Sequence, residues 1–109
     1  MSANTLRNGE RRPTHPGALL RDIVLPTLKN VTKVGVAQAL DVSRQTLYDI
    51  LKEAQPVTPQ MAVRLSAVFG SSADFWLRMQ SAYDLWNASR EVDISKLQSL
   101  KLAESREAI

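Results

Sequence analysis

The chain reads as all-α, a compact set of five helices. Three observations carry that reading: apolar residues recur at spacings of three and four, capping residues or prolines open several of those runs, and no stretch alternates as a strand would. At 109 residues with 44% apolar content, the chain is long enough for one domain with a core that needs no disulfide or metal. It has no cysteine, which excludes a disulfide framework, a thiolate metal site and a cysteine nucleophile. A formal charge of +3 suits a polyanionic partner, but many lysine-rich surfaces share it, so charge decides little.

Residues 1–13 lack periodicity and carry Arg7, Arg11 and Arg12 beside Asn4, Asn8 and Gly9. They read as a mobile arm that is either solvated or in touch with phosphates. Residues 14–90 are expected to form the helical domain. Its first helix should open at Thr14-His15-Pro16, because a proline at the first helical position lacks only an amide hydrogen that would be unpaired there anyway. Leu19, Leu20 and Ile23 give that helix one apolar face, and Pro26 stops or kinks it.

Thr32 caps a second helix in which Val36, Ala37 and Leu40 repeat as a buried stripe while Lys33 and Gln38 point elsewhere. Asp41-Val42 makes a tight connection. Ser43 then caps a third helix with Leu47, Ile50 and Leu51 on its inner side. After a loop from Lys52 to Val57, Thr58-Pro59 opens a fourth helix with Met61, Ala62, Leu65 and Phe69 inward, and Gly70 fits the left-handed position after its end. Ser71 or Ser72 caps a fifth helix, Asp74 suits its first turn, and Trp76, Met79, Tyr83 and Trp86 supply a large apolar face. Residues 91–109 form a polar tail in which Ile94, Leu97, Leu100 and Leu102 support a short last helix or a partner contact.

Residues 32–52 fit a helix-turn-helix: a supporting helix, a short turn, and a helix whose first residues are polar and unburied. With Leu47, Ile50 and Leu51 inward, helical spacing puts Arg44, Tyr48 and Lys52 on an exposed stripe with Gln45 and Asp49 beside it. Arg44 suits guanine O6 and N7, and Gln45 suits adenine N6 and N7, each worth roughly 1–3 kcal/mol of discrimination. Ser43 and Thr46 offer hydroxyls to phosphate or a base edge, and the helix amides near Ser43 and Lys33 suit the DNA backbone. The bland alternative makes Ser43 only a cap and Arg44 and Gln45 only surface helix formers. The order of cap, polar pair and buried leucine behind a bracing helix favours the DNA reading.

A catalytic reading has no support. The lone histidine, His15, sits beside a proline at a helix start and reads as a packing or capping residue. There is no glycine-rich phosphate loop and no ligand cluster with metal spacing, so no catalytic residue, metal or cofactor is expected. No run approaches the roughly 20 apolar residues of a membrane span, and the polar start lacks a signal-peptide core. A cytoplasmic protein with no membrane contact is the expectation.

The run Val36-Ala37-Gln38-Ala39-Leu40-Asp41-Val42-Ser43-Arg44-Gln45-Thr46-Leu47 resembles the Cro/C1-type (XRE) helix-turn-helix. Around it stand His15-Pro16-Gly17 with Leu20-Arg21, Val57-Thr58-Pro59 with Met61-Ala62 and Arg64-Leu65, and Phe75-Trp76-Leu77 with Met79-Gln80, Tyr83-Asp84 and Leu85-Trp86. Together these blocks resemble the HigA antitoxins of bacterial type II toxin–antitoxin systems. The resemblance implies a lambda-repressor-like domain with a short C-terminal extension. It also implies a homodimer that represses its own operon and neutralises a HigB/RelE-type ribonuclease toxin by direct binding. Two departures are visible. Asp41 stands where many such turns have glycine, and Gly35 falls in a helix interior, where it should weaken the supporting helix by about 0.5–1 kcal/mol.

Two rival readings share these residues: a stand-alone phage-type or metabolic repressor without a toxin partner, and a helical interaction module that does not bind DNA. The first should carry an effector pocket, for which the short tail leaves little room. The second should replace Arg44 and Gln45 with acids or apolar residues. A helix-turn-helix usually works as a two-fold dimer on double-stranded operator DNA, and a chain this small need not cover two tryptophans completely. Tyr83, Leu85 and Trp86 are therefore expected to contribute to a dimer interface.

Overall fold

The computed structural model describes residues 11–100. Residues 1–10, most of the expected arm, and 101–109, the end of the expected tail with Leu102, lie outside the described residues. Within them are five helices and no strand. Helix α1 makes one α-helical turn over Pro16–Leu19, then widens to π hydrogen bonding over Leu20–Val24 and tightens to a 3-10 turn over Leu25–Thr27. Helices α2 (Lys33–Leu40), α3 (Arg44–Leu51), α4 (Pro59–Phe69) and α5 (Ala73–Glu91) follow.

A side chain caps every one of these starts. His15 accepts from the Gly17 amide, Thr32 from Gly35, Ser43 from Thr46, Thr58 from Met61 and Ser72 from Phe75. Each cap pairs an amide that the helix itself leaves without an acceptor, a contribution of typically about 1 kcal/mol. Of the two serines offered as the α5 cap, Ser72 takes that place, while Ser71 accepts the Trp76 indole N–H at 2.7 Å. Asp41 and Gly70 adopt the left-handed conformation that ends α2 and α4. Gly35 lies in the first turn of α2, where its amide is the one capped by Thr32, so it is not the interior glycine expected from the sequence.

One core joins all five helices: Leu20 of α1, Val36, Ala37 and Leu40 of α2, Leu47, Ile50 and Leu51 of α3, Val57, Met61, Ala62 and Leu65 at and within α4, and Trp76 of α5. Each large apolar side chain buried there contributes about 1.5–3 kcal/mol relative to exposure. Helix α1 can approach α3 closely because residue 17 is glycine, since a Cβ built there runs into the Ile50 carbonyl.

Three expectations need correcting. Ile23 is exposed, and Val24 packs on the core in its place. The reason is the π stretch: i→i+5 bonding adds a residue per turn after Leu20, so the next inward position is four residues on. On α5, Trp76 and Gln80 are the buried residues, whereas Met79, Tyr83 and Trp86 are half-buried and Phe75 is exposed. At 19 residues α5 is longer than the core it crosses, so its outer half protrudes. The short last helix is only a 3-10 turn, Ile94–Lys96, started by Asp93, and Ile94, Leu97 and Leu100 lie exposed.

Candidate nucleic-acid interface

Helices α2 and α3 meet across Asp41-Val42-Ser43, and packing on the core leaves one face of α3 in solvent. Ser43 sits at the N-cap, its Oγ accepting from the Thr46 amide at 3.0 Å and donating to Thr46 Oγ1 at 2.9 Å. Arg44, in the first turn, is exposed and has no hydrogen bond or ion pair among the described residues. Gln45 is exposed and donates from Nε2 to Asp49 Oδ1 at 2.7 Å. The same carboxylate oxygen lies 3.9 Å from Lys52 Nζ. Tyr48 is exposed, and Thr46 likewise.

Lys33, in the first turn of α2, and Tyr48, Leu51 and Lys52 of α3 line an open cleft of about 360 Å³ with Arg21 of α1. The eight residues Lys33, Ser43, Arg44, Gln45, Thr46, Tyr48, Asp49 and Lys52 thus fall on adjoining parts of α2 and α3. Asp49 is the most covered of the polar residues on this face of α3, its side chain only 22% exposed.

Several residues that brace this surface carry no local sequence signal. Arg21 donates from Nη1 to the Leu51 carbonyl at 2.9 Å, closing the end of α3, and pairs with Asp22 and Glu53. Those partners raise the Arg21 pKa, and Arg21 holds Asp22 below the usual carboxylate range. Arg64, from α4, donates to the carbonyls of Leu40 and Asp41 at 2.9 and 3.1 Å and so grips the turn. Gln80, from α5, accepts from the Val57 amide at 2.7 Å and donates to Asp84 at 2.9 Å. The links from Arg21 to Leu51 and Glu53, from Arg64 to Leu40 and Asp41, and from Val57 to Gln80 join residues 23 to 32 positions apart, beyond what helical spacing reveals. His15 is buried, with its ring edge-on to Tyr83 at 4.8 Å. Burial lowers its pKa, against the opposing influence of Glu53 and Asp84.

The helix-turn-helix family HTH_3 matches residues 20–76, more than half of the chain. The chain belongs to the helix-turn-helix family, of the XRE type. An uncharacterised HTH-type transcriptional regulator of Haemophilus influenzae is 38% identical to this helix-turn-helix protein over 77 residues, covering 71% of each chain. Among solved structures, antitoxin GraA superposes with a TM-score of 0.76 at 34% identity, covering 83% of this chain and 99% of GraA. The Pseudomonas aeruginosa antitoxin HigA, solved with the higBA promoter, superposes with a TM-score of 0.70 at 34% identity, covering 83% of this chain and 100% of that one. The structural neighbours of this XRE-type protein thus include HigA-family antitoxins.

The three residues expected at a dimer interface lie on the outer half of α5. Leu85 is exposed and borders a groove with Val57, Leu77, Gln80, Ser81, Asp84 and Ala88. Tyr83 accepts a hydrogen bond from Arg12 at 3.2 Å, and Trp86 is flanked by the guanidinium groups of Arg12 and Arg90. Among the described residues no helix is long and apolar enough to cross a membrane, and no group of three or more His, Cys, Asp or Glu is placed to hold a metal.

Proposed function

We propose that this protein is an antitoxin and transcriptional repressor. As a homodimer it binds palindromic operator DNA in its own operon's promoter through α3, and it neutralises a HigB/RelE-type mRNA-cleaving toxin by direct binding in the cytoplasm. The observation that carries the DNA half is the solvent-facing start of α3, where Arg44, unpaired among the described residues, stands beside Gln45 on a helix whose ends are both held. Arg44 offers its planar fork to guanine O6 and N7, and Gln45 pairs with adenine. Ser43 and Thr46 hold phosphate or a base edge, and Lys33 and Lys52 add phosphate contacts from the cleft beside Tyr48. Asp49 completes this face. The antitoxin half rests on likeness to GraA and HigA. Self-association through Tyr83, Leu85 and Trp86 is supported by their place on the outer half of α5, where Leu85 is 66% exposed and Tyr83 and Trp86 are half-buried.

The test is selection of duplexes from a random pool by the purified chain, followed by titration across salt. An inverted repeat with half-site centres about 10 base pairs apart is expected, with affinity falling steeply as salt rises. Arg44→Ala should relax preference at one position per half-site, whereas Lys52→Ala should weaken all sequences alike and flatten the salt dependence. Recovery of no sequence would remove the operator reading. Continued mRNA cleavage by the toxin of the same operon, in the presence of equimolar protein, would remove the antitoxin reading.

A further inference from the structure

On the exposed face of α3, Gln45 is not a free side chain. It donates from Nε2 to Asp49 Oδ1 at 2.7 Å, across one helical turn, and Asp49 is held in turn by Lys52 at 3.9 Å. A carboxylate accepts and never donates, so it fixes which end of the Gln45 amide turns toward the helix: the NH2 group, not the carbonyl. That group has two hydrogens, and Asp49 takes one. What remains facing outward is one N–H and the carbonyl oxygen.

We propose that Asp49 is a specificity-determining residue that locks the Gln45 amide in the orientation complementary to adenine and against guanine. This rests on the operator-reading role of α3. Adenine presents an acceptor at N7 and a donor at N6, which the outward N–H and carbonyl of the locked amide match with two hydrogen bonds. Guanine presents acceptors at both N7 and O6, so the locked carbonyl meets an oxygen and repels it. A glutamine free to turn its amide over gives both hydrogens to guanine instead and discriminates poorly. The lock leaves the adenine pairing intact when Asp49 takes the hydrogen trans to the amide oxygen, because adenine N7 uses the one cis to it. Asp49 acts through Gln45 and is a positioning residue. The low exposure of its side chain relative to its neighbours keeps it beside Gln45 and away from the base edges.

The experiment is duplex selection with the wild-type chain, Gln45→Ala, Asp49→Ala and the double variant, each first shown to melt as a folded helical protein. The wild-type chain should select adenine at the position that Gln45→Ala makes indifferent. Asp49→Ala should admit guanine at that same position, lowering the adenine-to-guanine preference by about tenfold, and should change nothing further once Gln45 is gone. Asp49→Glu, which keeps an acceptor of the same charge at this spacing, should restore part of the preference. If Asp49→Ala keeps the wild-type preference, or weakens all sequences equally, the lock is wrong. If it relaxes a different position from Gln45→Ala, Asp49 reads a base itself and the lock is again wrong. If the wild-type chain selects no sequence at all, the operator reading fails first and the lock falls with it.

Discussion

Arg64 belongs to α4, yet its guanidinium acts on the turn that joins α2 to α3. Helix α2 leaves its last carbonyls without amide partners, and Arg64 Nη1 serves those of Leu40 and Asp41 at 2.9 and 3.1 Å. Replacing Arg64 with Met keeps most of the apolar stem and removes both bonds. Hydrogen bonds to a charged donor are worth about 1.5–3 kcal/mol each. Here one nitrogen makes both and the side chain is 41% exposed, so water replaces part of the loss and the sum falls to about 1–2 kcal/mol. The Asp41 carboxylate, 3.7 Å from the guanidinium and almost wholly exposed, adds nothing to that figure. For a domain of this size the loss corresponds to a Tm lower by about 5–15 °C, measured by circular dichroism at 222 nm. Because the turn sets the angle at which α3 is presented, Arg64→Met should also weaken operator binding uniformly, without altering base preference. Arg64→Lys, which keeps a point charge but not the fork, should fall between. A Met variant that melts with the wild-type chain would show that the turn holds its shape without this grip.

Gln80→Met preserves volume but leaves the buried Val57 amide without an acceptor, and should cost about 1–3 kcal/mol in urea unfolding; an unchanged midpoint would mean that water reaches Val57. His15 supplies a pH dependence whose sign follows from its lowered pKa: above about 6.5 both folded and unfolded chains hold it neutral, and below that value the unfolded chain takes up the proton first. Stability should therefore fall as pH drops from 7.5 to 5.5, and His15→Asn, which can still cap α1, should flatten that fall; equal slopes for the two proteins would exclude His15 as its source.

The sequence carried the helices and their caps because those signals are local. Proline after threonine or histidine, serine before a polar pair, and a glycine at the end of α4 each act within four residues, and the structure has each of them in place. The seam between α1 and its neighbours was less legible. Ile23 was expected inside from a period of 3.6, and the π stretch moved that place to Val24, a change of hydrogen bonding that residue types do not announce. Gln80 was hidden for a different reason. A glutamine on an apolar helix face reads as an interruption of the stripe until its partner, 23 residues earlier, is known. The exposed face of α3 was legible as a set of residues but not as a network, since spacing puts Asp49 one turn beyond Gln45 without showing that their side chains meet.

That network bears on how a small helix-turn-helix gains selectivity. Both ends of α3 are closed by groups outside its exposed face or at its edge: Ser43 takes the amide at the start, and Arg21 takes the Leu51 carbonyl at the end. Arg64 closes the end of α2 in the same way. With the backbone held by these contacts, binding need not order it, and the remaining entropic cost falls on the exposed side chains. Gln45 has already given up part of its freedom to Asp49, whereas Arg44 has given up none among the described residues. The two therefore differ in what they bring to a base edge. In the proposed operator complex Arg44 would adapt to a guanine in more than one register, at a cost in entropy, while Gln45 would meet one pattern with less freedom left to lose. Loosening Gln45 should thus reduce discrimination more than affinity, because the freed amide gains alternative partners as it loses its preferred one. Truncating Arg44 should reduce both, because α2 and α3 carry no other arginine.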